Sequence, residues 1–416
     1  MRPLRTVESP APVQRFPLLI LVAVVATVVL LKTGVFDSKK DPVRKVGGPS
    51  TSAAADARSG KAAGNGEPGD VSEAGSDGPV SSATGEAESD TEADLPLGKA
   101  LGQMMVARFA GEDPAAGFLD RIRKGEIGGV ILFEENLQGG RAAIAKRIDR
   151  LQSAALKGGN PLLLVMVDQE GGPVRRLPGP PRNAPRAMDS GEQAREEGEA
   201  TGDLLHQLGI NVDLAPVADV GHPGSFLKSR TFSSSPAIAA ERACEFSAGL
   251  QSEGVAATLK HFPGLGMAAT STDEATVTIE ASPAEIRADY TPYRACGSQP
   301  LTLVMVDSAI YPSLTGPAPA VMSAKTYDHE LPLAGVTGVT ISDALESPPI
   351  EAQTTPARHS VNAGLDLLLY AKSESTSAAA FSRLLEDAQT GAIDRQAIAT
   401  AAAKILALKE QLDALE

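Results

Sequence analysis

The sequence predicts an α/β fold: residues from about Leu95 onward form a TIM-type (β/α)8 barrel, preceded by a single transmembrane helix and a disordered linker. Short apolar runs rich in β-branched residues alternate with helical stretches in this part of the chain, which is typical of a parallel sheet. No GxGxxG motif follows the first strand and no GxxxxGK[ST] motif occurs, which disfavours a doubly wound open sheet. The length of the region suits a barrel.

The predicted barrel strands are the apolar runs. Seven of them are evident, at residues 129–133, 162–168, 211–217, 256–261, 301–307, 338–343 and 365–370. An eighth is predicted near residues 104–109. Helices are predicted between the strands, for example at residues 237–253 and 377–388.

Three segments are predicted ahead of the barrel domain, which spans residues 95–416. Residues 1–15 form a short tail, and residues 16–36 contain a long apolar run that suits a membrane anchor. No small-x-small cleavage site and no cysteine follows this run, so an uncleaved anchor is favoured over a signal peptide. Residues 37–94 consist mainly of Gly, Ala, Ser, Pro and acidic residues and are predicted to be disordered, because they cannot bury a core.

Most of this linker is acidic: residues 51–94 hold ten acidic and two basic residues, a net charge of −8 in a chain whose total is −14. No basic stripe follows it, and this excludes a typical nucleic-acid-binding surface. More basic residues follow the predicted anchor than precede it, against the usual charge rule. We nevertheless expect the barrel outside the cytoplasm, because a long solvated tether suits a domain that reaches away from a membrane surface.

Cysteine and histidine usage predicts neither a metal nor a redox cofactor. Cys244 and Cys296 lie in predicted helices without CxxC or Cys/His spacing, so they are either isolated buried thiols or a disulfide. The histidines form no HExxH motif and no two-His helical pair; they are His206, His222, His261, His329 and His359.

Polar residues close three of the predicted strands. Asp168, the pair Lys260 and His261, and Asp343 each end an apolar run. The carboxyl ends of barrel strands meet at one mouth, where active sites form, so we expect these side chains to lie together. The alternatives are structural: a salt bridge from Asp168 to Arg175 or Arg176, and a buried, satisfied pair at Lys260 and His261.

Five motifs occur in order along this region: DQEGGPVRR, GINVDLAPVADV, SRTF, KHFPG and ISDAL. Their order and spacing resemble glycoside hydrolase family 3, and most closely its bacterial β-N-acetylhexosaminidases. The resemblance extends from about Leu97 to Leu412. It implies a hydrolase that needs no cofactor and acts, by a retaining mechanism, on β-linked N-acetylglucosamine of peptidoglycan or a related glycan.

The resemblance also implies roles for individual residues. Asp343 would be the nucleophile. The sugar would be bound by Asp168, Arg176 and Arg230 and hydrogen-bonded by Lys260 and His261. Carboxylate acceptors and cationic donors around one ring suit sugar hydroxyls, and cations near Asp343 would keep it ionised.

The loop after KHFPG departs from the family pattern. The related enzymes carry a His after the second glycine-like position and end the loop in Asp-Ser-His, whose His is the acid/base. In this chain Leu265 replaces the first His, Ser271 the orienting Asp, and Asp273 the acid/base His. We expect Asp273, or else Glu274, to act as acid/base. The alternatives are a protein that binds glycan but barely cleaves it, and a solvated loop with the acid supplied from elsewhere.

Two other classes of function are alternatives to a glycosidase. Lys260 at a strand end also suits a Schiff-base lyase. A non-catalytic wall-binding module is disfavoured because the chain has no Trp and only 4% aromatic residues; Tyr311 is one candidate aromatic neighbour of the pocket. The expected partners are a carbohydrate substrate and a membrane, reached through the N-terminal helix, with no nucleic acid, and the protein is expected to be a monomer.

Overall fold

The computed structural model describes residues 95–415, and its central feature is a barrel of parallel strands. In chain order the barrel strands are β1 (Met105–Ala107), β2 (Gly129–Ile131), β3 (Leu164–Val167), β4 (Val212–Asp213), β5 (Ala256–Phe262), β6 (Thr302–Val306), β7 (Thr340–Ser342) and β8 (Leu368–Tyr370). From β1 to β7 each strand pairs with the next, and β8 pairs with β1. A bridge between Ile341 and Leu367, with the backbone N–H of Ser342 donating to the Leu367 carbonyl at 2.9 Å, links β7 to the residue before β8 and leaves the ring nearly closed.

Helices separate the strands and cover the barrel. Within residues 95–415 they are α1 (Leu97–Gln103), α2 (Ala116–Lys124), α3 (Arg141–Lys157), α4 (Gly191–His206), α5 (Pro236–Ser252), α6 (Pro283–Ala288), α7 (Thr291–Cys296), α8 (Leu331–Leu333), α9 (Pro348–Glu351), α10 (Pro356–Ala363), α11 (Glu374–Thr390) and α12 (Arg395–Asp413). A short antiparallel hairpin, Gln169–Gly171 paired with Val174–Arg175, follows β3.

The predicted eight-stranded parallel barrel is confirmed. Each predicted apolar run coincides with one barrel strand, and the weaker run near residues 104–109 contains β1. Seven of the strands are shorter than their runs, whereas β5 extends one residue past its run, to Phe262. The predicted helices at 237–253 and 377–388 correspond to α5 and α11.

The predicted tail, anchor and linker at residues 1–94 lie outside the described residues. Among the helices of residues 95–415, none combines the length and the apolar character needed to span a bilayer.

The strands are buried on both faces, which explains why their sequences are continuous apolar runs. Leu164 and Met166 of β3 belong to one buried cluster, whereas Val165 and Val167 belong to another. Successive side chains of a strand point to opposite faces, so both the barrel interior and the layer under the helices must be apolar. Only the residues at the strand ends are free to carry chemistry.

The two cysteines form a disulfide. Cys244 of α5 and Cys296 of α7 are joined, with Cα atoms 5.7 Å apart. The structure therefore decides between the two alternatives that the sequence left open. The bond closes a loop between residues 52 positions apart and fastens α7 to α5.

We expect replacement of both cysteines by serine to destabilise the protein by about 4 kcal/mol, since the cross-link restricts the unfolded chain. The midpoint of thermal unfolding should fall by roughly 5–10 °C. A reductant should lower the midpoint of the parent protein and leave that of the Cys244→Ser/Cys296→Ser variant unchanged. Equal midpoints for parent and variant under oxidising conditions would contradict this expectation.

Candidate active site

The mouth of the barrel holds a pocket of about 230 Å³ at the carboxyl ends of the strands. All the site residues predicted from the sequence line it: Asp168, Arg176, Arg230, Lys260, His261, Asp273 and Asp343. Glu170, Phe133 and Phe226 also line it and were not predicted. The parallel topology brings together residues that are far apart in the chain, as expected for the mouth of a barrel.

Lys260 and His261 both reach the pocket although they are adjacent on β5. Neighbouring side chains of a regular strand point to opposite faces. The pairing of β5 with β6 shifts register between Lys260 and Phe262, and this irregularity redirects the end of the strand. Two consecutive polar side chains can therefore serve one site.

A buried ion-pair cluster occupies one wall of the pocket. The Lys260 ammonium lies 2.8 Å from Asp168 Oδ1 and 2.7 Å from Glu170 Oε1. Arg230 donates through Nε and Nη2 to the two oxygens of Glu170, at 2.8 and 2.9 Å. Glu170 is the third residue of the DQEGG run, and only its position beside Asp168 hinted at a role.

The ion pairs of this cluster favour the ionised forms of its side chains. Burial alone would lower the pKa of Lys260, but the carboxylates of Asp168 and Glu170 raise it above its ordinary value. Burial likewise opposes ionisation of Glu170, yet the charges of Lys260 and Arg230 lower the pKa of Glu170 to about 2. The two carboxylates thus favour the charged form of Lys260, and this disfavours the Schiff-base alternative, which requires a neutral amine.

His261 is oriented by Asp219, a fully buried residue that the sequence analysis missed. Asp219 Oδ2 accepts from the backbone N–H of His261 at 3.0 Å and lies 2.7 Å from its Nδ1. Asp219 Oδ1 accepts from the backbone N–H of Leu265 at 2.6 Å. A proton on Nδ1 satisfies the carboxylate, so Nε2 is left to face a ligand. The same carboxylate anchors the start of the loop that carries Asp273.

Arg176 lines the pocket next to this cluster. Its guanidinium lies 3.6 Å from Asp168 and donates to Glu134 at 2.7 Å. It also stacks over Phe133, with Cζ 5.6 Å from the ring centroid. The suggested salt bridge from Asp168 is therefore made by Arg176, as part of the pocket wall, whereas Arg175 donates to the carbonyl of Gly179.

The aromatic neighbour proposed from the sequence lies elsewhere. Tyr311 is fully buried and does not line the pocket; its hydroxyl contacts Asp307 and the Gly264 carbonyl. It packs beneath the loop after β5 because a buried phenol needs partners for its hydroxyl. The aromatic side chains at the pocket are Phe133, the last residue of the predicted run 129–133, and Phe226, which lies in a loop without a periodic signal.

Asp343 follows β7 and is half-buried at the pocket. Its Oδ1 accepts from the backbone N–H of Ala344 at 2.7 Å, and its Oδ2 lies 3.4 Å from the hydroxyl of Thr272. One oxygen is thus held by the backbone, while the other faces the loop that carries Asp273.

Asp273 approaches Asp343 from that loop. The negative charge of Asp343 is the main cause that raises the pKa of Asp273, and partial withdrawal of the carboxyl group from water adds to it, although the residue as a whole is exposed. Ser271 donates to its Oδ2 at 3.3 Å. Glu274, the alternative acid/base, instead contacts Thr270 and does not line the pocket. Among the described residues no cluster of His, Cys, Asp and Glu is arranged to hold a metal ion.

Comparison with known proteins identifies the family. The model for "Glycosyl hydrolase family 3 N terminal domain" matches residues 97–408. An uncharacterized secreted glycosyl hydrolase of Arthroderma benhamiae is 30% identical over 335 residues, 77% of this chain and 95% of the relative. A β-hexosaminidase of Stenotrophomonas maltophilia is 31% identical over 283 residues, 64% of this chain and 82% of the relative.

The fold is shared with solved structures. A family 3 β-N-acetylglucosaminidase from Paenibacillus sp. FPU-7 superposes with a TM-score of 0.73 at 30% identity, covering 77% of this chain and 63% of that protein. LpqI of Mycobacterium tuberculosis superposes with a TM-score of 0.68 at 25% identity, over 76% of this chain and 94% of that protein. With its barrel, its pocket and a family match over most of its length, the chain belongs to glycoside hydrolase family 3.

Proposed function

We propose that this glycoside hydrolase removes β-linked N-acetylglucosamine-type sugars, from peptidoglycan or a related glycan, by a retaining mechanism. The observation that carries the proposal is the pair of carboxyl groups, Asp343 and Asp273, that share one pocket and differ in their surroundings. Environments that separate the proton affinities of two carboxyl groups are the usual basis for assigning acid and nucleophile in glycosidases. The substrate class follows the names of the relatives, several of which are β-hexosaminidases.

In this mechanism Asp343 attacks the anomeric carbon and forms the glycosyl-enzyme. Its Oδ1 is held by the Ala344 backbone N–H, so the carboxylate has a fixed orientation. Among the described residues, the Thr272 hydroxyl is the only hydrogen-bond partner of its Oδ2, at a long distance of 3.4 Å. A sugar that displaces this weak contact would meet an unshielded oxygen, as covalent catalysis requires.

Asp273 protonates the leaving oxygen and then activates water. An acid must carry its proton when the substrate binds, and the charge of Asp343 favours the protonated form of Asp273. Once Asp343 becomes an ester its charge disappears, so the pKa of Asp273 falls and the residue becomes a base for the second step. The electrostatic interaction between Asp343 and Asp273 therefore favours proton donation in the first half-reaction, and its loss favours proton acceptance in the second.

The remaining pocket residues bind the sugar. The free donors of Lys260, Arg230 and Arg176 and the acceptor oxygens of Asp168 surround a space of about 230 Å³. This volume is smaller than the roughly 300–1,000 Å³ of pockets for drug-sized ligands and suits one sugar ring. We therefore infer removal of single terminal sugars rather than cleavage within a chain.

We place the enzyme at the cell surface, as a monomer tethered by the apolar segment at residues 16–36. The disulfide between Cys244 and Cys296 suits an oxidising compartment outside the cytoplasm. The secreted relative from Arthroderma benhamiae is consistent with this location. The tether itself rests on the sequence pattern.

The nucleophile is tested with Asp343→Asn. Because the amide cannot form the glycosyl ester, we expect hydrolysis of an aryl β-N-acetylglucosaminide to fall by at least about 1,000-fold. Trapping the parent with a fluorinated glycoside, followed by peptide mass spectrometry, should place the label on Asp343. A variant as fast as the parent would refute the assignment. Binding of the sugar by calorimetry without turnover by the parent would favour the weakened glycan-binding alternative.

The acid/base is tested with Asp273→Ala. We expect a loss of roughly 100- to 10,000-fold with a poor leaving group that needs protonation, such as a disaccharide. An aryl glycoside whose phenol leaves without protonation should lose far less in its first step, measured as the burst of phenol. The matched control is Glu274→Ala, which should resemble the parent. A larger loss in the control than in Asp273→Ala would move the role to Glu274.

The coupling between the two carboxyl groups is tested by titration. In the parent, activity on the disaccharide should decline as pH rises through the raised pKa of Asp273, since the acid then loses its proton. In Asp343→Asn the main cause of the raised pKa is removed, so the pKa of Asp273 should fall toward that of an ordinary Asp. Carbon-13 NMR of the Asp273 carboxyl measures this. An unchanged pKa would show that the two groups do not interact.

A further inference from the structure

Glu170 occupies an unusual position for a residue that lines a sugar pocket. Its side chain is 0% exposed, and each of its oxygens accepts from a cation. An ammonium has three N–H groups and a guanidinium has five. Lys260 therefore keeps one donor beyond its contacts with Asp168 and Glu170, and Arg230 keeps three. Glu170 therefore fixes the orientation of both cations and leaves these donors for a ligand.

The balance of charge in the pocket depends on the same residue. Lys260 is matched by Asp168 as well as by Glu170. Among the described residues, Arg230 forms a salt bridge only with Glu170. Removing the carboxylate would leave the guanidinium without a counter-charge in a largely water-excluded wall, and such a charge seeks an anion.

We propose that Glu170 determines the ligand specificity of the pocket: by occupying the two-pronged face of Arg230, it makes the site accept an uncharged sugar ring and reject anions. The inference rests on the proposed function, since it concerns the sugar that this pocket binds. A guanidinium already engaged by a carboxylate through two N–H groups cannot hold a phosphate or a second carboxylate in the same way. Its remaining donors suit single hydroxyl or carbonyl oxygens.

The ionisation of Glu170 makes this arrangement independent of pH over the working range. The charges of Lys260 and Arg230 overcome the effect of burial and lower the pKa of Glu170 to about 2. The carboxylate thus stays charged at any pH at which the protein is expected to act.

The test is Glu170→Gln, with inorganic phosphate as the probe. The amide keeps the size of the side chain and removes its charge. By calorimetry at millimolar phosphate we expect no detectable binding to the parent, and binding to the variant at least about tenfold tighter than the weakest binding that the titration detects. Phosphate should also inhibit the variant competitively. Without phosphate, the kcat/KM of the variant should be roughly 10- to 100-fold below that of the parent, because the two cations are no longer held in a fixed orientation.

Two further variants separate the role in specificity from a role in folding. Glu330→Gln removes another buried carboxylate that takes two bonds from an arginine, Arg287, outside the pocket, and should leave phosphate binding and activity unchanged. Glu170→Gln/Arg230→Gln removes both members of the pair, so phosphate affinity should return to the parental level. A folded Glu170→Gln that ignores phosphate would overturn the proposal.

A Glu170→Gln variant that folds only in the presence of phosphate would support the proposal, because the anion then replaces the missing charge. A variant that fails to fold with or without phosphate would overturn it, since the carboxylate would then be needed for the fold itself. Phosphate binding is measured without turnover. An inactive parent would therefore count against the proposed hydrolase activity, while the phosphate-binding measurements would still test the role of Glu170.

Discussion

The Lys260 ammonium lies between the carboxylates of Asp168 and Glu170, and the geometry of the pocket depends on this contact. A buried lysine without partners would lose its proton, and a buried carboxylate without partners would gain one. Together with Arg230 they form a cluster in which each charge has a partner, so each side chain can remain in the pocket wall. The cluster holds flexible side chains as fixed donors and acceptors around the pocket.

The carboxyl groups of Asp273 and Asp343 follow the reverse principle, since two like charges share the pocket there and neither forms a salt bridge among the described residues. Repulsion between Asp273 and Asp343 favours the proton on Asp273. A carboxylic acid can take the place of the histidine of the related enzymes because both can donate and recover a proton near neutral pH. Under the proposed mechanism the departure from the family pattern is chemically coherent, since Asp273 would carry the proton in place of the histidine, close to Asp343.

The fold and most of the candidate site were predictable from the sequence. The strands are buried on both faces, so they appear as apolar runs, and the polar residues that end them mark the mouth of the barrel. Glu170 and Asp219 were not predicted, because a residue that supports another through a hydrogen bond has no periodic or compositional signal. Phe226 lies in an irregular loop, where sequence spacing does not indicate which side chains converge, and Phe133 ends an apolar run in which nothing distinguishes a pocket residue from a core residue.

The sequence by itself determined the order of strands and helices, the residues at the strand ends and the family pattern, because these depend on local periodicity and on motifs within single segments. Only the tertiary structure decided which carboxylates neutralise which cations, that Asp273 rather than Glu274 enters the pocket, and that Cys244 pairs with Cys296. Those outcomes depend on distances between segments far apart in the chain. Closure of the barrel sets these distances, and no local pattern encodes them.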